Sequence, residues 1–191
     1  IQFISDENKK TKISLETLEV FAPLAQRLGM KEWQDELEDI AFEVINPDAK
    51  KTITERLEYL RRLKSITEAR FEDLAQAMRE EMGAPISMAR SAQADSAIGH
   101  LDGFIDSLEK LEEREKLENG DILIKEPIGV CGLITPWNWP INQVALKVIP
   151  ALATGCTCVL KPSEHTPLSA MIYAEMIEEA GYPAGVFNLV N

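Results

Sequence analysis

Three cysteines and two histidines among 191 residues are too few, and too poorly spaced, for most thiol or metal chemistry. Cys156 and Cys158 stand two apart and Cys131 lies alone, which suits neither a disulfide framework nor a zinc site, so no metal ligands are assigned. Positive charge is also scarce: 20 Lys and Arg face 32 Asp and Glu, for a net charge of -12. Phosphate binding needs a basic face, so nucleic acid and anionic membrane are excluded as partners. No uninterrupted apolar run is long enough to span a bilayer. Asp6, Glu7, Lys9 and Lys10 crowd the start, where a signal peptide needs an apolar core. These absences together place the chain in a reducing, cytoplasmic compartment.

What is present changes character near Glu118. Before that point the pattern is helical and densely charged. Leu15, Leu18, Phe21, Leu24, Ala25 and Leu28 recur at helical spacing and stop at Gly29. Trp33, Leu37, Ile40, Ala41 and Val44 repeat the spacing until Asn46-Pro47 breaks it. A third stripe, Leu57, Leu60, Leu63, Ile66, Phe71, Leu74 and Met78, is closed by Gly83 and Pro85. A fourth runs from Ile86 to about Leu117, and the mixed charges of residues 108–116 read as its solvated helical face.

Beyond the Asn119-Gly120 turn signal the texture reverses. Between Pro127 and Ser163 the only charged side chains are Lys147 and Lys161. Short continuous apolar runs of this kind fit strands buried on both faces of a parallel sheet. They predict strands over 129–134, 156–160 and 186–190, with helices over 142–153 and 167–180 between them. Residues 121–125 predict an outlying antiparallel strand. The fold class is therefore α/β, a partial doubly wound parallel sheet preceded by a long helical N-terminal region.

Ligands of such sheets bind at the carboxyl ends of the strands. The loop Thr135-Pro136-Trp137-Asn138-Trp139-Pro140 follows the first strand, and Lys161-Pro162-Ser163-Glu164 follows the second, so both belong to one edge. Prolines stiffen the first loop, and Asn138 offers an amide donor of the kind an oxyanion needs. Lys161 and Glu164 offer a cation and an acceptor suited to ribose hydroxyls, and helix N-termini nearby favour phosphate. Each motif also has a plainer reading: a packed aromatic turn, and a loop whose Ser163 or Thr166 caps the next helix. The usual dinucleotide signature, Gly-x-Gly-x-x-Gly after the first strand, is missing.

The run Glu126-Pro127-Ile128-Gly129-Val130-Cys131-Gly132-Leu133-Ile134-Thr135-Pro136-Trp137-Asn138-Trp139-Pro140 resembles the start of the cofactor domain of the aldehyde dehydrogenase family. So do Lys147-Val148-Ile149-Pro150-Ala151-Leu152-Ala153-Thr154-Gly155-Cys156, Thr166-Pro167-Leu168-Ser169-Ala170 and Gly181-Tyr182-Pro183-Ala184-Gly185-Val186-Phe187-Asn188-Leu189-Val190. Glu80-Glu81-Met82-Gly83-Ala84-Pro85 matches that family's helical N-terminal part, and the resemblance covers about residues 55–191. It implies NAD(P)-dependent oxidation of an aldehyde to a carboxylic acid, with homo-oligomers as the family's habit. It gives Asn138 the side-chain donor of the oxyanion hole. It gives Lys161 and Glu164 the adenosine ribose, with Ser163 between them among the cofactor-binding residues, and Ile134, Thr135, Pro136 and Trp137 the wall and backbone contacts on the same side of the cofactor. An acid at position 164 favours NAD over NADP, because it repels a 2′-phosphate.

The family's glutamate base and cysteine nucleophile have no counterpart in these residues. Cys131, Cys156 and Cys158 fall in expected strands and behave as small apolar side chains. Neither His100 nor His165 is expected to form a nucleophile pair. The expectation is thus an incomplete, inactive piece of such an enzyme, with a non-catalytic nucleotide-binding or helical interaction module as the alternative. At the other end, Leu15-Glu16-Thr17-Leu18-Glu19-Val20-Phe21-Ala22-Pro23-Leu24-Ala25-Gln26-Arg27-Leu28-Gly29-Met30 and Glu36-Leu37-Glu38-Asp39-Ile40-Ala41-Phe42 resemble the bifunctional guanosine tetraphosphate synthetase/hydrolase family. That resemblance covers about residues 1–51 and brings no metal ligands with it. It implies a chimera of a helical segment, 1–54, and an aldehyde dehydrogenase part, 55–191.

Overall fold

A computed structural model of the chain describes residues 4, 6–30, 33, 37, 53–111, 113–119 and 121–191. The chain divides into two compact units, Ile1–Lys50 and Lys51–Asn191.

In the first unit, helix α1 (Glu7–Glu16) starts at Asp6, whose carboxylate accepts the Lys9 N–H at 3.1 Å. A π-helical turn, Thr17–Phe21, leads into α2 (Ala22–Arg27). Pro23 has no N–H to give to the preceding turn and its ring crowds that turn's carbonyl, so the ladder widens just before it. Gly29 ends the helix at φ 72°, as its position in the sequence implies. Of the apolar stripe, Leu15, Phe21, Leu24 and Leu28 are exposed and Ala25 is buried, together with Ser14, Thr17 and Ala22. The second expected helix and its Asn46-Pro47 break lie outside the described residues, apart from Trp33 and Leu37.

In the second unit the expected third stripe is two helices, α3 (Ile53–Ala69) and α4 (Phe71–Met82). The break falls at Arg70, whose guanidinium is held by Asp73 at 3.0 Å and by Glu175 at 2.8 Å. Gly83 closes α4 in the left-handed region, φ 70°. The fourth stripe is shorter and less regular than its spacing implies. It comprises α5 (Ile86–Met88), a π-helical stretch (Ala89–Ala94) and α6 (Asp95–Glu109).

Residues 114–116 are not helical. They form β1 (Arg114–Lys116), antiparallel to β2 (Ile122–Ile124), with Glu115 opposite Leu123. The expected outlying strand is thus present, and its partner comes from the stretch read as a solvated helix. Asn119 makes the connection tight by accepting the Asp121 N–H at 3.1 Å, an Asx turn that alternating charges alone do not reveal.

Three parallel strands follow: β3 (Val130–Ile134), β4 (Thr157–Lys161) and β5 (Phe187–Leu189), in that spatial order. Helices α7 (Pro140–Ala153) and α8 (Leu168–Glu179) connect them, close to the expected limits. The core joins these helices to α3, α4 and α6. Leu60, Leu63, Leu74, Met78, Leu101, Ile141, Ile149, Leu160, Tyr173 and Met176 are fully buried in it. Each such side chain contributes about 1.5–3 kcal/mol by leaving water.

One expectation fails on the sheet itself. The strands are not covered on both faces: Val130 is 65% and Ile134 74% exposed, while Cys158 and Leu160 on the neighbouring strand are buried. Among the described residues the buried side chains of the sheet lie on the Cys158–Leu160 side, which leaves the other face open.

Candidate functional site

Parallel register places the two motif-bearing loops side by side. Val130 faces Thr157 and the pairing runs on to Ile134 opposite Lys161, so both strands end level. The Thr135 N–H then donates to the Lys161 carbonyl at 3.3 Å, and the Val190 N–H donates to the Leu160 carbonyl at 2.9 Å. The loops after β3 and β4 therefore leave the same edge of the sheet, as the strand pattern requires.

In the first loop Thr135 is buried, whereas Pro136, Trp137 and Asn138 are exposed and Trp139 is half-buried. Pro140 opens α7, where its missing N–H is no loss and its fixed φ suits the first turn. Asn142, in that first turn, shares a 2.8 Å hydrogen bond with His100 Nε2 of α6. The loop carrying Asn138 is thus held between a paired strand end and a packed helix start.

In the second loop the Lys161 ammonium donates to the Pro162 carbonyl at 3.0 Å and meets the Glu164 carboxylate at 3.4 Å. The Glu164 backbone N–H, then Lys161, hold its carboxyl below the usual range. Ser163 does not cap the following helix. Its hydroxyl accepts the His165 N–H at 3.3 Å and its carbonyl the Thr166 N–H at 3.1 Å, which folds the loop on itself. The cap expected from Ser163 or Thr166 comes instead from Glu81, which accepts the Leu168 N–H at 2.7 Å and the Ser169 hydroxyl at 2.6 Å. Spacing carries no signal of this contact, since Glu81 and Leu168 are 87 residues apart.

Lys161 and Glu164 together offer donors and an acceptor at the exposed end of a strand, the set that vicinal hydroxyls require. Ile134 and Trp137 offer apolar surface beside them. The cysteines lie elsewhere. Cys131 and Cys158 face each other across β3 and β4. Burial pushes the Cys158 thiol up to about 12 and also raises that of Cys131. Among the described residues no group of three or more His, Cys, Asp or Glu is placed to hold a metal ion. None of their helices is long and apolar enough to cross a membrane.

Comparison with known proteins agrees with this arrangement. Residues 18–191 match the model of the aldehyde dehydrogenase family. The chain is 49% identical over 138 residues to a 3-succinoylsemialdehyde-pyridine dehydrogenase of a Pseudomonas species, covering 72% of this chain and 29% of that protein. It is 38% identical over 196 aligned positions to a putative aldehyde dehydrogenase of Staphylococcus aureus, covering all of this chain and 41% of that one. Among solved structures, a mutant aldehyde dehydrogenase C from Pseudomonas syringae in complex with NAD+ and octanal superposes with a TM-score of 0.73. The two are 46% identical over 76% of this chain and 30% of that one. An aldehyde dehydrogenase from Bartonella henselae gives 0.72 at 50% identity, over 74% of this chain and 30% of that one. The chain thus spans 29–41% of the length of these curated relatives. A parallel sheet with its two motif loops level on one edge and a family match over residues 18–191 lead to one conclusion: the chain belongs to the aldehyde dehydrogenase family.

Proposed function

We propose that this chain supplies the adenosine-side cofactor edge and the oxyanion donor of an NAD-dependent aldehyde dehydrogenase, which oxidises an aldehyde to a carboxylic acid. The observation that carries the reading is the pairing of Ile134 with Lys161, which sets the Asn138 and Glu164 loops beside each other. Lys161 and Glu164 would hold the ribose hydroxyls of NAD. Ser163 shapes their loop, and Ile134, Thr135, Pro136 and Trp137 form the wall. The fit rests on the exposed ammonium–carboxylate pair at 3.4 Å, with Ile134 74% and Trp137 54% exposed alongside. NAD, when bound, would supply the acceptor for a hydride from the substrate carbon. The Asn138 amide would donate to the aldehyde oxygen as negative charge gathers there. Glu164 favours NAD over NADP by repelling a 2′-phosphate.

The thiols of this chain do not supply the nucleophile. Cys158 at about 12 carries almost no thiolate near neutral pH, and Cys156 is buried. The chain by itself should therefore form no NADH from an aldehyde. The test is an NAD titration followed by NMR shifts, on the wild type and on Lys161→Ala. Loss of binding in Lys161→Ala supports the reading, and equal binding in both overturns it. A reducing, cytoplasmic setting and assembly into homo-oligomers belong to the same reading.

A second reading concerns residues 1–51. The motifs at 15–30 and 36–42 support descent from a guanosine tetraphosphate hydrolase domain, and the chain divides into compact units at Lys50. The family match that begins at residue 18 supports a continuous aldehyde dehydrogenase N-terminus instead. Removing residues 1–50 separates the two: a fusion leaves the melting of residues 51–191 unchanged, and a continuous N-terminus lowers it.

A further inference from the structure

The loop of residues 161–164 is suspended between two anchors. Its near end is fixed by strand pairing, since Lys161 faces Ile134 across the sheet. Its far end is the first turn of α8, and that turn has no cap of its own: the N-cap residue is Pro167, and no side chain of the helix caps it. Unsatisfied N–H groups at a helix start need a partner. Glu81, in the last turn of α4, supplies it. One carboxylate oxygen accepts the Leu168 N–H at 2.7 Å and the Ser169 N–H at 3.4 Å. The other accepts the Ser169 hydroxyl at 2.6 Å and the Ser169 N–H at 3.3 Å. Ser169 is fully buried and Thr166 is 2% exposed, so this junction is packed as well as bonded.

We propose that Glu81 is a positioning residue for the nucleotide loop: by clamping the start of α8 it sets where Lys161 and Glu164 stand. The proposal rests on the nucleotide-binding reading above for its functional consequence, and on the clamp alone for its structural one. Between the two anchors the loop is tied by its own bonds, those of His165 and Thr166 to Ser163 and of Lys161 to Pro162 and Glu164. A shift of the helix start is therefore passed along the loop rather than absorbed by it. Burial holds the Glu81 carboxyl above its usual range, while its hydrogen bonds to Ser169 and Leu168 act the other way. An amide at position 81 keeps an acceptor for the Leu168 N–H and can donate to the Ser169 oxygen, whereas a methyl group does neither.

The experiment compares Glu81→Ala and Glu81→Gln with the wild type in the full 191-residue chain. Amide hydrogen exchange is read at His165, Thr166, Leu168 and Ser169, and NAD affinity by titration. Loss of the clamp at about 1 kcal/mol corresponds to a roughly five-fold weaker Kd. The expected result is faster exchange at His165 and Thr166 as well as at Leu168 and Ser169 in Glu81→Ala, the weaker NAD binding just given, and restoration of both in Glu81→Gln. Faster exchange confined to Leu168 and Ser169, with NAD binding unchanged, would reduce Glu81 to a helix cap and overturn the proposal. If Glu81→Ala does not fold, Glu81→Gln and Ser169→Ala carry the test. Exchange at His165 and Thr166 should then rise in Ser169→Ala and stay low in Glu81→Gln, and the absence of any rise overturns the proposal. A wild-type chain that binds no NAD removes the function proposed above, while the exchange at His165 and Thr166 still decides the clamp.

Discussion

Arg56 and Ala153 are joined across 97 residues: the buried guanidinium of the first, on α3, donates at 2.9 Å to the carbonyl of the second, in the last turn of α7. A second arm of the guanidinium binds Glu113, just before β1. The cation meets the negative end of a helix whose last carbonyls lack intrahelical partners. Gly155 follows at φ 83°, a left-handed turn where a Cβ would crowd Pro127 Cγ at 3.2 Å and touch the guanidinium at 3.4 Å.

Replacing Arg56 should therefore destabilise the second unit. Arg56→Ala is expected to lower unfolding stability by about 1.5–3 kcal/mol, the range for a hydrogen bond to a charged group. Denaturant melts of the two proteins check this, and Arg56→Lys should recover only part of the loss because it lacks the forked donors.

Glu72 on α4 accepts two hydrogen bonds from Arg90, at 2.9 and 2.6 Å, and one from Gln76 at 2.7 Å. Arg90, then Gln76, lower its carboxyl from the ordinary 4.5 to about 2. A depressed carboxylate favours the folded state above its unfolded pKa, and this contribution fades as pH falls from about 4.5 towards 2. Carboxyl NMR titration should find the low midpoint in the wild type and a return towards the ordinary value in Arg90→Ala. Both groups are exposed, so added salt should narrow the difference.

The thiols should be quiet in the native chain. Burial raises those of Cys131 and Cys158, the latter to about 12, so the reactive thiolate is scarce at pH 8. Iodoacetamide followed by mass spectrometry is expected to show slow alkylation of the folded protein and complete alkylation after denaturation. Rapid native labelling of Cys158 would contradict the packing described for β4.

The open sheet face should bind apolar probes. Ile128 is 87%, Val130 65% and Val190 48% exposed, which leaves apolar surface in water at about 25 cal/mol per Å² relative to burial. A hydrophobic dye is expected to bind the wild-type chain and to lose much of its signal in Ile128→Lys/Val130→Thr. Neither side chain is in the core, so the melting temperature should change little.

The sequence by itself determined the α/β class, the parallel strands and the edge from which the two motif loops leave. Those features are local: apolar runs of strand length, Gly155 and Gly181 after the helices, and prolines at 136, 140 and 162 each act within a few residues. The placement of Asn138, Lys161 and Glu164 was legible for the same reason, because each stands at or just after the end of a strand that announces itself. Only the tertiary structure decided which residues share work across long separations. Arg70 splits one apolar stripe into two helices by binding acids on α8. Residues 114–116 become a strand because β2 gives their backbone a partner, which their alternating charges do not encode. Val130 and Ile134 are open because the sheet buries its Cys158–Leu160 side instead. Glu81 reaches Leu168 because α4 ends beside the start of α8. In each case the deciding contact joins chain segments that no periodicity relates, so its physics begins only once the fold has formed.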